Sequence, residues 1–176
     1  MVRVRLRSED GFGLIELLMA MVILNVGILA IVAAFNSGMF ALKRASRIST
    51  AATLADSQME LYRAITYSAI GLDSTSLGSV DNTYKCDSAL GSSCPNSTSA
   101  EVTRTDCASP LPNECIPSRT VTGADHKNYR VDTYIVYTTP ANGRQLKSVT
   151  VVVRDGSALS ARPWARVTST FDSATG

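Results

Sequence analysis

Phe12 to Phe35 reads FGLIELLMAMVILNVGILAIVAAF, an apolar run interrupted only by Glu16 and Asn25. As a helix rising about 1.5 Å per residue, it is long enough to cross the roughly 30 Å hydrocarbon layer of a bilayer. It predicts a membrane-spanning helix. Arg3, Arg5 and Arg7 precede it, so the positive-inside rule keeps the N-terminus in the cytoplasm and sends the rest of the chain across the membrane. The run is too long for an ordinary secretory signal, and no small-residue cleavage site follows it, so cleavage behind it is not expected.

Glu16 lies inside this run. An unpaired carboxylate in apolar surroundings is costly, so an acid here marks function and calls for a cation. The residues around it, GFGLIELLMAMVIL from Gly11, resemble the cleavage and methylation motif of type IV prepilins and type II secretion pseudopilins. The resemblance implies that a membrane peptidase cuts after Gly11 on the cytoplasmic side and methylates the new amino terminus at Phe12. It also implies that Glu16, fifth in the mature chain, pairs with the terminal ammonium of a neighbouring subunit. Two charges that are each costly alone become tolerable where subunits stagger to join them, which selects a register. Many major pilins carry a proline about two-thirds of the way along this segment, where this chain has Ala33. Any loosening of the helix falls to Asn25, Gly27 or Gly38.

Beyond Phe35, Ala41, Ala45, Ile48, Ala52, Ala55, Met59 and Tyr62 alternate by four and three, while Lys43, Arg44, Arg47, Asp56, Glu60 and Arg63 stay mostly off that line. The spacing predicts that the helix continues with an amphipathic stripe to a stop near Ser68 to Gly71. Its small residues suit packing on a sheet better than a free coiled coil. Tyr129 to Tyr137, Leu146 to Arg154 and Trp164 to Phe171 are β-branched and aromatic with period-two patterning, which predicts strands. Turn chemistry at residues 139–143 and at Asp155-Gly156 joins them as an antiparallel meander. The expected fold is α+β, a long N-terminal helix whose second half packs on a small antiparallel sheet. The expected divisions are 1–11 cleaved leader, 12–40 membrane and filament-core helix, 41–70 amphipathic helix, 71–128 cysteine-bearing loop and 129–176 sheet.

Residues 71–128 are dominated by Ser, Thr, Asn, Asp, Gly and Pro, a composition that builds little core by itself. They hold Cys86, Cys94, Cys107 and Cys115. Beyond a membrane helix these are expected to be oxidised. Four cysteines permit three connectivities, and the local pairs Cys86 with Cys94 and Cys107 with Cys115 close the shortest loops. Zinc is disfavoured, since each local pair is separated by seven residues with no nearby histidine.

Net charge is +2, and three of the cations lie in the leader, so the body is near neutral. That argues against a nucleic-acid partner. The loop leans acidic and the strands lean basic, through Arg130, Arg154, Arg162 and Arg166. These are expected on solvated faces of the sheet. His126 is the only histidine and reads as a surface-loop residue. Asn96-Ser-Thr98 fits a glycosylation sequon, and Asp81-Asn82 with Asp87 falls short of a calcium loop. No cofactor or metal site is read, and no phosphate-binding loop or catalytic constellation can be assembled.

Within the family, ILNVGILAI, the helix reaching ADSQMELY and the strand VTVVV are most similar to PilV-type minor pilins and to type II secretion pseudopilin I. The resemblance implies a non-enzymatic filament subunit, with a prepilin peptidase, other pilins or pseudopilins and an inner-membrane assembly platform as partners. It would pass from the bacterial inner membrane into an extracytoplasmic filament. Three readings stand: a minor pilin of a type IV pilus, a pseudopilin of a type II secretion system, and a surface- or DNA-binding subunit.

Overall fold

A computed structural model describes residues 13–141 and 143–174. The chain divides into two units, the first ending at Arg44 and the second beginning at Ala45. In order come helix α1 (Leu14–Arg63), a 3-10 turn (Tyr67–Ala69), β1 (Leu72–Asp73), the short helices α2 (Ser74–Gly78) and α3 (Asn82–Lys85), β2 (Thr103–Arg104), β3 (Ser118–Thr122), β4 (Asn128–Thr138), β5 (Leu146–Asp155) and β6 (Ala165–Phe171). This is the expected α+β arrangement, with the later part of α1 packed on an antiparallel sheet.

In the first unit, every described residue of α1 is exposed, from Leu14 through Phe35 to Leu42. In the second unit, α1 buries Ala51, Ala55, Gln58, Met59 and Tyr62. The predicted stripe therefore holds from Ala55 onward, whereas Ile48 is 43% exposed and Gln58 enters the buried line. Hydrogen bonds allow this: Gln58 Nε2 donates to the Asn113 carbonyl at 3.0 Å, and its Oε1 accepts from Arg119 Nη2 at 2.8 Å. A buried amide with both ends bonded is no longer a penalty.

α1 stops at Arg63, short of the predicted Ser68 to Gly71. Beyond that end, the carbonyls of Tyr67 and Ile70 accept from Lys147 Nζ on β5 at 2.8 and 2.7 Å. Gly71 follows, with its missing side chain replaced by Arg104. A Cβ there would lie 2.7 Å from Arg104 Cγ.

The sheet has the order β3-β4-β5-β6, antiparallel throughout. It begins at Ser118, inside what composition assigns to the loop, because β3 pairs Ser118 to Thr122 with Asp132 to Asn128. Five residues with exposed or half-buried side chains make a weak period-two signal, and pairing with β4 is what orders them. β4 and β5 are buried over most of their length, so both faces of the sheet are covered. Side chains alternate across a strand, and the two covers differ.

Odd-numbered residues, among them Tyr129, Val131, Ile135, Val149, Val151 and Val153, share one apolar core with Ala51, Ala55, Met59 and Tyr62 of α1. Gly123 lets the helix in, since a Cβ would fall 2.6 Å from Thr50 Cγ2 and 2.8 Å from the Tyr129 ring. Burial of Met59 and Tyr62 contributes roughly 1.5 to 3 kcal/mol each. On the even-numbered face stand Arg130, Asp132 and Tyr134 of β4 and Arg154 of β5. The segment carrying α2 and α3 covers them.

Candidate functional site

The exposed stretch of α1 places Glu16 in the helix's first turn, where the amide dipoles favour a negative charge. Its backbone N–H donates to the Gly13 carbonyl at 2.9 Å. Among the described residues its carboxylate has no ion pair or side-chain hydrogen bond. Leu14, Ile15, Leu17, Leu18 and Met19 around it are all more than half exposed. Among the described residues α1 is the helix long and apolar enough to cross a membrane. Gly11 and Phe12, the expected processing residues, lie outside the described residues.

The second unit carries a group of its charges inside. Arg130 holds Asp81 through two bonds, Nη1 to Oδ2 at 2.5 Å and Nη2 to Oδ1 at 2.8 Å, while its Nε donates to Asp132 at 2.7 Å. Asp132 also accepts from Ser118 Oγ at 2.6 Å and from Arg154 Nε at 3.3 Å. Arg154 Nη2 donates to Asp87, which accepts in turn from Arg166 Nη2 at 2.6 Å. Asp81, Arg130, Asp132, Arg154, Asp87 and Arg166 thus form one neutral chain of alternating charge. Asp132 is 0%, Asp87 3%, and Arg130 and Arg154 each 7% exposed.

The expectation that the strand arginines sit on solvated faces therefore fails for Arg130 and Arg154. Asp132, on the same face of β4, bonds both of them, but the other two acids, Asp81 and Asp87, stand 49 and 67 residues away from Arg130 and Arg154, so strand periodicity carried no sign of those pairings. Arg130 holds the Asp81 carboxyl down to about 2, well below the usual carboxylate range. Asp132 is pushed the other way by burial, against the donors that surround it. The same pairing occupies the acids weighed for calcium. Among the described residues, no three of His, Cys, Asp and Glu gather as for a metal ion.

Cys86 is joined to Cys94 and Cys107 to Cys115. The first bridge closes the loop immediately after α3, beside Asp87. The second encloses Asn113 and Glu114, whose carbonyls accept from Gln58 Nε2 at 3.0 Å and from Tyr62 Oη at 2.7 Å. Each loop is thereby tied to a different cover of the sheet. His126 is exposed in the turn between β3 and β4. Asn96 donates from Nδ2 to the Ser93 carbonyl at 2.6 Å.

Residues 6–33 match a family model described as the prokaryotic N-terminal methylation motif. Neither the comparison with curated proteins nor that with solved structures returned a match. A motif of this kind marks a substrate of a prepilin peptidase that assembles with other pilins. The exposed apolar helix behind it fits membrane anchoring. The chain carries a type IV pilin-like prepilin leader and helix, joined to an α+β head stapled by two disulfides.

Proposed function

We propose that the chain is a minor pilin that is incorporated into, or primes, a type IV pilus. The observation that carries this reading is the exposed helix from Leu14 to Leu42 with one acid, Glu16, that has no partner among the described residues, set among its apolar side chains. Such a surface is stable in a bilayer or against like helices, and Glu16 gains a partner only in the second setting. Cleavage between Gly11 and Phe12 supplies that partner, the ammonium of a neighbouring mature subunit. The leader is cytoplasmic, the helix sits in the inner membrane before assembly, and the disulfide-bearing head is extracytoplasmic. The long cysteine-bearing segment favours the pilus over a secretion pseudopilus.

The test follows the amount of this protein in sheared filaments relative to the inner membrane, with cleavage monitored by N-terminal sequencing. Glu16→Leu is expected to leave insertion and cleavage intact and to lower the filament share, because the neighbour's ammonium is stranded at a cost of about 3 to 5 kcal/mol. An unchanged ratio with normal cleavage removes Glu16 as an assembly contact. A mature protein that retains Gly11 removes the processing step.

A further inference from the structure

Glu101 stands outside the ion chain. It is 6% exposed, at a bridge to Val136 on β4. The strap it begins, residues 101–104, runs from there into β2. Val102 N–H donates to the Ile135 carbonyl at 2.8 Å, and Leu72 N–H donates to the Val102 carbonyl at 2.9 Å. The strap thus joins the covering segment to the sheet.

Tyr84 Oη of α3 lies 2.6 Å from Glu101 Oε1 and 2.6 Å from the Thr133 carbonyl oxygen. A phenol brings one proton and a carbonyl none. Two short hydrogen bonds among these three oxygens therefore need a second proton, and the carboxyl is the group that can carry it. The neutral acid donates to Tyr84 Oη, which donates to Thr133. Its other oxygen, Oε2, is buried with no hydrogen-bond partner among the described residues, a position that a neutral acid tolerates and an anion does not.

The groups that face Glu101 are Tyr84 and, stacked on it with ring centroids 4.3 Å apart, Tyr134 of β4. Burial pushes both hydroxyls up, so neither loses its proton across the ordinary range. Asp132, Asp87 and Arg154 lie beyond the tyrosines and are bonded within the ion chain. Arg104, at the end of the strap, is held by Asp106 and by the Ala69 carbonyl. Among the described residues, no cation is bonded to Glu101.

We propose that Glu101 is a proton-operated latch. As a neutral acid it closes the strap onto β4, and on losing its proton it loosens the strap and with it the cover of the even-numbered face. Burial raises its carboxyl to about 7. The open strap returns it to the ordinary value near 4.5. The closed form therefore binds the proton more tightly. The latch is fully present below about 4.5 and is lost as pH rises through about 7.

The experiment uses the full chain in detergent micelles. The protection of the Leu72 and Val102 amides against hydrogen exchange, corrected for intrinsic rates, is expected to fall roughly 50-fold between pH 5 and pH 8. In Glu101→Gln, whose amide donates to Tyr84 at every pH, protection is expected to stay level. A level profile in the wild-type chain, or an equal fall in both, overturns the latch. The carboxyl carbon of Glu101 in the wild-type chain gives a second readout that requires no variant. A titration midpoint near 7 supports the latch, and one near 4.5 overturns it even if Glu101→Gln fails to fold.

Discussion

The two faces of the sheet are covered by different chemistry. The odd-numbered face meets α1 through Ala51, Ala55, Met59 and Tyr62, where burial is apolar and non-directional. The even-numbered face meets the disulfide-stapled segment through the stacked Tyr84 and Tyr134 and through Arg130, Asp132, Arg154, Asp87 and Arg166, and among these last five each contact is a charged hydrogen bond with a required partner. An apolar cover tolerates exchange of one hydrophobe for another of similar volume. An ionic cover does not tolerate the loss of a single member, because the remaining charge is left in the interior. The first face is therefore robust and unspecific, and the second is brittle and specific in register.

The largest effect should come from breaking the ionic cover at its centre. Asp132→Ala leaves Arg130 with Asp81 and Arg154 with Asp87 but one positive charge of the buried chain uncompensated, and is expected to cost about 3 to 5 kcal/mol in a urea titration of the detergent-solubilised chain. Asp132→Asn, which keeps an acceptor for at least one arginine, should cost less. Equal losses for the two variants would show that volume, not charge, governs this face.

Met59→Ala does the corresponding damage on the apolar face. Met59 is 0% exposed, and its truncation is expected to cost about 2 to 4 kcal/mol as a transfer loss plus a cavity. Met59→Leu should recover most of that. If Leu proved as damaging as Ala, the helix cover would be as shape-specific as the ionic one, and the contrast between the faces would fail.

The smallest effect sharpens the comparison where the Cys107–Cys115 loop touches the helix on the apolar face. Tyr62→Phe removes the hydroxyl that donates to the Glu114 carbonyl and should cost about 1 kcal/mol. Opening Cys107 and Cys115 by replacing both with Ser releases that carbonyl, and should cost about 2 to 3 kcal/mol on loop entropy. Because the two changes share a partner, the double variant should lose less than the sum of both. Strict additivity would mean that the loop does not position its carbonyls for the helix.

How much of this was legible depended on how far the relevant partners stand apart. The long apolar helix and the motif around Glu16 were readable because a run of twenty-odd residues, apolar but for Glu16 and Asn25, needs no tertiary information. The strands β4, β5 and β6 were readable from alternation. β3 was not, because Ser-Arg-Thr-Val-Thr has no decisive pattern until β4 lies beside it. The acidic loop and basic strands were both visible as charge asymmetries. That Asp81 would meet Arg130, and Asp87 both Arg154 and Arg166, was not visible, since nothing local states which distant charge folds back onto which.

Sequence alone thus determined what the first unit must be, an apolar helix with a costly acid at its start, since a helix satisfies its own backbone and its exposed surface follows directly from residue order. The tertiary structure decided the rest of the head's character. It turned Arg130 and Arg154 inward, bonded the Tyr67 and Ile70 carbonyls beyond the end of α1 to Lys147, and placed Glu101 where only a neutral acid completes the hydrogen bonds. Each of those outcomes depends on the desolvation of a polar group and the presence of a particular partner, and both quantities exist only after distant segments have packed together.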